Sequence, residues 1–230
     1  MIRHAMAVWV VATSAIWAQN THPLTGRKIP STAGDSPAAV AARADPDAKD
    51  QSVMALGVMG VEEGMTVADV CGVTDYYASL LAGRVGDSGT VYAVEIQPAL
   101  LDDLRKMVAS RSFTNVKLVR GTDVNPRLPA GKINLVLLAN SYSGFSRPQE
   151  MLRKIRESLK ADGKLVVIEY RAEDQSAPAS GGTPMTVQEI KKEIEAEGFK
   201  FQKVVGLVRQ HILIFSLSSA GAGPATGGHP

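Results

Sequence analysis

Residues 66–95 constrain the fold of this 230-residue chain more than any other stretch. An apolar run from Thr66 to Val70 leads through a short turn into a helix-forming segment, Tyr76 to Val85. A second apolar run, Thr90 to Val94, follows and ends on the acid Glu95. A strand, a crossover helix and a second strand of these lengths form the βαβ unit of a parallel sheet. The segment therefore predicts an α/β fold.

Strands and helices continue to alternate after this unit. Three further strands are predicted, at Val116 to Arg120, Ile133 to Ala139 and Leu165 to Tyr170. Three further helices are predicted: one at Pro98 to Ser110, one that begins at Pro148 and stops at Asp162-Gly163, and one that follows a capping box formed by Thr186 and Glu189. A final antiparallel pair is predicted at Phe201 to Val208 and His211 to Leu217. This order predicts a doubly wound, mostly parallel seven-stranded sheet that ends in an antiparallel hairpin.

Composition narrows the function classes. The hydrophobic fraction of 45% is ordinary for a globular core, and the formal net charge of +2 contains no block of like charges. We therefore expect no dedicated nucleic-acid surface. Cys71 is the only cysteine, so the chain forms no internal disulfide, and we expect its thiol to be packed rather than reactive.

The N-terminus has the layout of a signal peptide, with a basic start followed by an apolar run that ends near Ala18. The alternative is a buried N-terminal helix. We predict a leader at 1–18, an extended arm at 19–49 with a short helix at 37–44, a folded domain at 50–217 and a disordered tail at 218–230. The expected location is exported, either periplasmic or secreted, with no membrane attachment after cleavage.

With this topology and the unit at 66–95, the chain resembles the class I S-adenosylmethionine (SAM)-dependent methyltransferases. The resemblance covers about residues 50–217 and extends to three phrases: VYAVEIQPALL, INLVLLANSYSGFSRPQEMLRKIRESLKADGKLVVIEYR and MTVQEIKKEIEAEGF. They are similar to those of small bacterial methyltransferases that act on small molecules. The resemblance implies a Rossmann-like methyltransferase fold, SAM as cofactor and a small-molecule substrate.

The loop after the first strand departs from the family pattern, D-x-G-x-G-x-G. The acid of that pattern is Asp69, but its three glycines fall on Cys71, Val73 and Asp75, and the glycine present, Gly72, lies between the expected positions. Glycines in such a loop allow positive φ and close approach of the backbone to a ligand. A β-branched residue such as Val73 tolerates positive φ poorly. The sequence therefore predicts impaired SAM binding.

Asp75 stands just before the predicted helix, where the family receives the SAM carboxylate on free N–H groups. A side-chain carboxylate there would occupy the same donors and repel the ligand. The alternative is that Asp75 simply caps the helix of a working loop.

The resemblance assigns the adenosine end of the pocket to residues after the second and third strands. Glu95 would accept hydrogen bonds from the ribose hydroxyls, with Ile96 beside it, and Asp123 would contact the adenine amino group. Two alternatives stay open: Glu95 as an exposed strand-end carboxylate, and Asp123 in an Asx turn before Asn125-Pro126.

After the fourth strand, where relatives often carry Asp and then Tyr-His, this chain has Asn140 and keeps Tyr142 without the histidine. Asn140 is a candidate for cofactor binding. Tyr142 is a weak catalytic candidate, with a buried loop anchor as the alternative, and no evident general base stands there. No second His or Cys lies near His211 in the sequence, so we expect no metal site.

Two functions follow. The first is a SAM-dependent methyltransferase for a small molecule with impaired SAM binding. The second is an exported, non-catalytic relative that binds another ligand or a protein partner. Whether the protein is an enzyme stays open on the sequence alone.

Overall fold

A computed structural model describes residues 20–32, 51–71, 75–174 and 184–218, and only the backbone of Asp75. The predicted leader, the helix at 37–44, Gly72 and Val73 of the first loop, and the tail from residue 219 lie outside the described residues, as does the side chain of Asp75.

The described chain forms a seven-stranded sheet with the strand order β3-β2-β1-β4-β5-β7-β6. The strands are β1 (Thr66–Val70), β2 (Thr90–Glu95), β3 (Val116–Arg120), β4 (Ile133–Ala139), β5 (Leu159–Tyr170), β6 (Phe199–Gly206) and β7 (Gln210–Leu217). The helices are α1 (Ser52–Met59), α2 (Asp75–Val85), α3 (Pro98–Ser110), α4 (Pro148–Ser158) and α5 (Val187–Ala196), with a 3₁₀ turn at Tyr142–Gly144. Strands β1 to β5 run parallel, whereas β7 pairs antiparallel with both β5 and β6. The predicted fold class is confirmed.

Helices cover both faces of the sheet because its central strands are apolar on both sides. Successive residues of β4 point to opposite faces: Val136 and Leu138 pack with α4 and α5, whereas Leu135 and Leu137 pack with α1 and α2. All four are at most 1% exposed. The core therefore lies in two layers, one on each face of the sheet.

Most predicted elements are confirmed, but the stop predicted at Asp162-Gly163 is wrong. Helix α4 ends at Ser158, and β5 begins at once with Leu159. The register between β4 and β5 is interrupted after the Ile133–Leu159 pair, which leaves Gly163 inside an irregular part of the strand. A Cβ at Gly163 would lie 2.9 Å from the carbonyl oxygen of Lys160 and 3.0 Å from that of Ile133. This glycine serves close backbone approach rather than a helix end.

Residues 20–32, which we call the N-terminal arm, make a tight turn that packs against the domain. The amide of His22 donates to the carbonyl of Arg27 at 2.9 Å, and that of Ile29 donates to Asn20 at 2.6 Å. His22 and Arg27 are buried although both are polar. This part of the chain, predicted to be extended, is folded onto the sheet domain.

Candidate functional site

The carboxyl ends of β1, β2 and β4 meet at one edge of the sheet, because β1 pairs with β2 on one side and β4 on the other. Cys71 follows β1, Glu95 ends β2 and Asn140 follows β4. In open α/β sheets, ligands bind outside the carboxyl ends of the strands, where the strand order reverses. The fold therefore brings these sequence-predicted residues to a place suited to a ligand.

Two carboxyl groups, Asp69 and Glu95, are buried side by side at this edge. Asp69 is 4% exposed, Glu95 is 3% exposed, and within the described part of the chain Asp69 Oδ1 has no hydrogen-bond partner. Burial, and then the negative charge of Glu95, raise the pKa of Asp69 to about 7, against a hydrogen bond from the backbone of Ala78 that lowers it. Asp69 therefore holds a proton over much of the range below neutral pH.

Cys71 occupies the first glycine position of the loop and adopts a left-handed backbone, with φ of 55°. A non-glycine residue in this conformation costs about 1–2 kcal/mol. The side chain is 7% exposed, and burial together with the charges of Glu95 and Asp69 raises the pKa of the Cys71 thiol well above its usual value. The position still demands the backbone that glycine adopts freely, and the thiol fills space beside the two acids.

Glu95 folds back on its own chain. Its Oε1 accepts hydrogen bonds from the backbone N–H groups of Ile96, at 2.6 Å, and Gln97, at 2.9 Å. These bonds fix the carboxylate at the end of β2, so the alternative of an exposed strand-end acid is wrong.

An open cavity of about 620 Å³ lies next to Glu95. Its lining comes from the ends of β2 and β3, from the region after β4 and from the arm: Ser31, Thr32, Ile96, Gln97, Pro98, Arg120, Gly121, Thr122, Asp123, Arg127 and Ser146. The cavity lining thus includes Ile96 and Asp123, two of the residues expected at the adenosine end of the pocket.

Asp123 is exposed at the cavity and is not the residue that shapes the turn after β3. Asn125 accepts through its Oδ1 from the N–H of Arg127 at 2.8 Å, and the hydroxyl of Thr122 accepts from the N–H of Asn125 at 3.1 Å. The turn is therefore built by Asn125 and Thr122. The Asx turn considered for Asp123 is formed instead by Asn125, two residues later in the chain.

Asn140 also has a left-handed backbone, with φ of 53°, and its Oδ1 accepts from Gln210 Nε2 at 2.9 Å. Asparagine tolerates this conformation better than most residues. Its side chain is therefore engaged with β7 at the edge where Cys71 and Glu95 lie.

Comparison with known proteins places this geometry in a family. The model of the ubiE/COQ5 methyltransferase family matches residues 49–177, more than half of the chain. The chain belongs to the ubiE/COQ5 methyltransferase family.

Among curated relatives, the chain is 29% identical over 111 residues to a demethylmenaquinone methyltransferase of Geobacillus sp., covering 48% of this chain and 47% of that protein. It is 27% identical over 114 residues to a protein-L-isoaspartate O-methyltransferase of Methanothrix thermoacetophila, covering 50% and 51% of the two chains. The chain thus spans about half the length of the curated relatives it matches.

A solved SAM-dependent methyltransferase from Aquifex aeolicus shares the fold with a TM-score of 0.71 and 22% identity, covering 79% of this chain and 98% of that one. At this identity the similarity establishes the architecture alone.

Tyr142, the weak catalytic candidate, is fully buried and lies in a polar cluster that sequence reasoning missed. Its hydroxyl donates to Glu193 Oε2 at 2.9 Å, and its ring packs edge-on against Phe145. Burial, and then the charge of Glu193, raise the pKa of Tyr142 well above its usual value. Tyr142 is thus buried in the core, as a loop anchor would be.

Glu193 of α5 is the centre of this cluster and is completely buried. Arg27 Nε donates to both of its carboxylate oxygens, at 3.0 and 3.1 Å, and Arg27 Nη1 donates to the carbonyl of Ser143 at 3.4 Å. His22 Nδ1 lies 3.4 Å from Glu193 Oε1 and accepts from the N–H of Leu24. Burial lowers the pKa of His22, which keeps it neutral near pH 7.

The only sequence signal for this cluster was a glutamate at an inward position of α5, next to Ile194. An acid on the apolar face of a helix requires a buried partner. That partner, Arg27, lies 166 residues away in the chain.

In the described ranges, no group of His, Cys, Asp and Glu side chains is arranged to hold a metal ion. The helices within those ranges are all too short or too polar to cross a membrane.

Proposed function

We propose that this chain is a SAM-dependent methyltransferase of the ubiE/COQ5 family that acts on a small molecule and binds SAM weakly. The observation that carries the proposal is the left-handed backbone of Cys71, at the first glycine position of the loop. Position 71 keeps the positive φ that the family pattern supports with glycine, but it now carries a buried thiol near the carboxyl groups of Glu95 and Asp69.

The adenosine end of the site fits the cofactor. Glu95 ends β2 beside a cavity that Ile96 and Asp123 line, which supports the cofactor-binding roles that the resemblance implies for these residues. Asp69 Oδ1 is a buried polar atom without a partner among the described residues, which is a sign of a site built for a further polar group. SAM, when bound, would supply an electrophilic methyl group on its sulfonium.

The chain's own residues would orient the acceptor rather than deprotonate it. Tyr142 is buried on Glu193, and the segment 140–146 contains no His, Asp or Glu. Methyl transfer to an acceptor that is already nucleophilic needs mainly alignment, for which proximity alone is worth several orders of magnitude in rate. The relatives named demethylmenaquinone methyltransferases support a small-molecule acceptor.

The second candidate is an exported, non-catalytic relative that binds another ligand or a protein partner. The changes at Cys71, Val73 and Asp75 favour it, as does the leader-like segment at 1–18. An exported protein would meet little SAM, because SAM is made and used in the cytoplasm. The two candidates differ in whether the native site binds SAM at all.

Calorimetric titration of the protein with SAM and with its demethylated product, S-adenosylhomocysteine, separates them. We expect weak binding by the native protein and at least about tenfold tighter binding by Cys71→Gly/Val73→Gly/Asp75→Gly, a gain of about 1.4 kcal/mol. The triple change removes side chains that stand where the family pattern brings glycine backbone close to the ligand, and it removes a carboxylate that would repel the carboxylate of SAM. The matched control is Asp87→Gly, which removes an exposed acid outside the site.

Micromolar binding of SAM by the native protein would show that its SAM binding is not impaired. If neither protein binds either ligand, the second candidate replaces the first.

A further inference from the structure

The N-terminal arm reaches the cavity as well as the core. Its last described residues, Ser31 and Thr32, line the same cavity as Ile96 and Asp123. One side of the cavity is therefore formed by the arm, a segment that lies outside the sheet domain and packs against it. A wall of this kind shapes a ligand pocket only if something holds it in place.

What holds the arm is the pairing of Arg27 with Glu193. Both side chains are almost fully excluded from water, with 2% and 0% exposure, and the guanidinium bridges Glu193 and the carbonyl of Ser143. A buried charge that loses its partner is strongly unfavourable, so the arm and α5 are fastened together by this pair.

The same carboxylate also fixes the other side of the pocket. Tyr142 donates to Glu193, and Ser143, next to it, accepts from Arg27 through its carbonyl. Ser146, three residues further along, lines the cavity. Glu193 thus contacts both segments that line the cavity on this side, the arm and the segment after β4.

We propose that Arg27 and Glu193 are positioning residues for the ligand pocket, and that the arm they fasten is one of its walls. The inference rests on the proposed function only for the identity of the ligand, an adenosine compound. The fastening of the arm can be measured without any ligand.

The test uses Arg27→Glu in the full chain. This change places a second negative charge against Glu193, which the protein relieves by releasing the arm, because Glu193 then becomes solvated while the sheet domain keeps its own core. The matched control is Lys28→Glu, an identical charge change on the exposed neighbouring residue. Arg27→Lys keeps the charge but lacks the planar guanidinium, whose Nε and Nη1 reach Glu193 and the Ser143 carbonyl at the same time. We therefore expect Arg27→Lys to hold the arm less firmly than Arg27 but better than Arg27→Glu.

Two readouts are needed: hydrogen–deuterium exchange of residues 20–32, and the dissociation constant of S-adenosylhomocysteine by calorimetry, measured in the native and glycine-restored loop backgrounds. We expect Arg27→Glu to abolish the protection of the Ile29 amide and to weaken binding roughly tenfold, the loss of one or two hydrogen bonds. Lys28→Glu should change neither.

Unchanged hydrogen–deuterium exchange of residues 20–32 in Arg27→Glu would show that the Arg27–Glu193 pair does not hold the arm on the domain. Faster exchange with unchanged affinity would overturn the role of the arm as a wall. If no background binds S-adenosylhomocysteine, the proposed function fails, and the exchange of residues 20–32 still decides whether Arg27 and Glu193 hold the arm.

Discussion

Replacing Asp69 with Asn should change how stability depends on pH. The pKa of Asp69 rises from 3.8 to about 7 on folding, because the carboxyl is buried beside Glu95. Below about pH 4 the group is protonated in both states, so it carries no penalty. As the pH rises from 4 to 7, the unfolded chain loses the proton while the folded chain retains it, so the stability of the native protein falls. Above pH 7 the penalty is complete.

The size of this effect follows from the shift. At about 1.4 kcal/mol per pKa unit, the penalty reaches about 4 kcal/mol, of which about 2–3 kcal/mol develops between pH 5 and pH 8. Asp69→Asn removes the titration but keeps the shape. We therefore expect the variant to match the native protein near pH 4 and to gain about 4 kcal/mol over it at pH 8.

Urea unfolding followed by circular dichroism at pH 5 and pH 8 measures the gap, because the signal comes from the helices and strands of the folded domain. The control is Asp87→Asn, which removes an exposed acid. A gap between Asp69→Asn and the native protein that stays constant from pH 5 to pH 8 would refute the reasoning.

Two further predictions concern packing. Gly163→Ala should lower the free energy of unfolding by about 1–3 kcal/mol, because a Cβ would press on two backbone carbonyls. Gly83→Ala, in α2 with open space around it, should raise the free energy of unfolding by about 0.5–1 kcal/mol. Equal effects of the two changes in urea unfolding would contradict this prediction. The thiol of Cys71 should react with a disulfide reagent about 100-fold more slowly in the native protein than in urea, and comparable rates would show that it is accessible.

The helices and strands whose signals lie within a few neighbouring residues could be predicted from the sequence. Helix α3 runs from Pro98 to Ser110 as expected, and the capping box of Thr186 and Glu189 is formed, because proline at a helix start and a reciprocal cap act over a single turn. The βαβ unit also places Glu95 at the end of β2. Strand pairing then follows from the alternation of elements.

The failures involve contacts between distant residues. Gly163 ends no helix: a Cβ there would press on the carbonyl of Ile133, on a neighbouring strand, as well as on that of Lys160. The pKa of Asp69 depends on Glu95, which only the pairing of β1 with β2 brings close.

The sequence by itself determined the architecture and the altered first loop, since both depend on the order and type of neighbouring residues. Only the tertiary structure decided that Tyr142 is buried, that Glu193 binds Arg27 and that the arm lines the cavity. The physical reason is that burial of a charge and the pairing that compensates it arise from packing between distant segments, for which local sequence has no periodic signal.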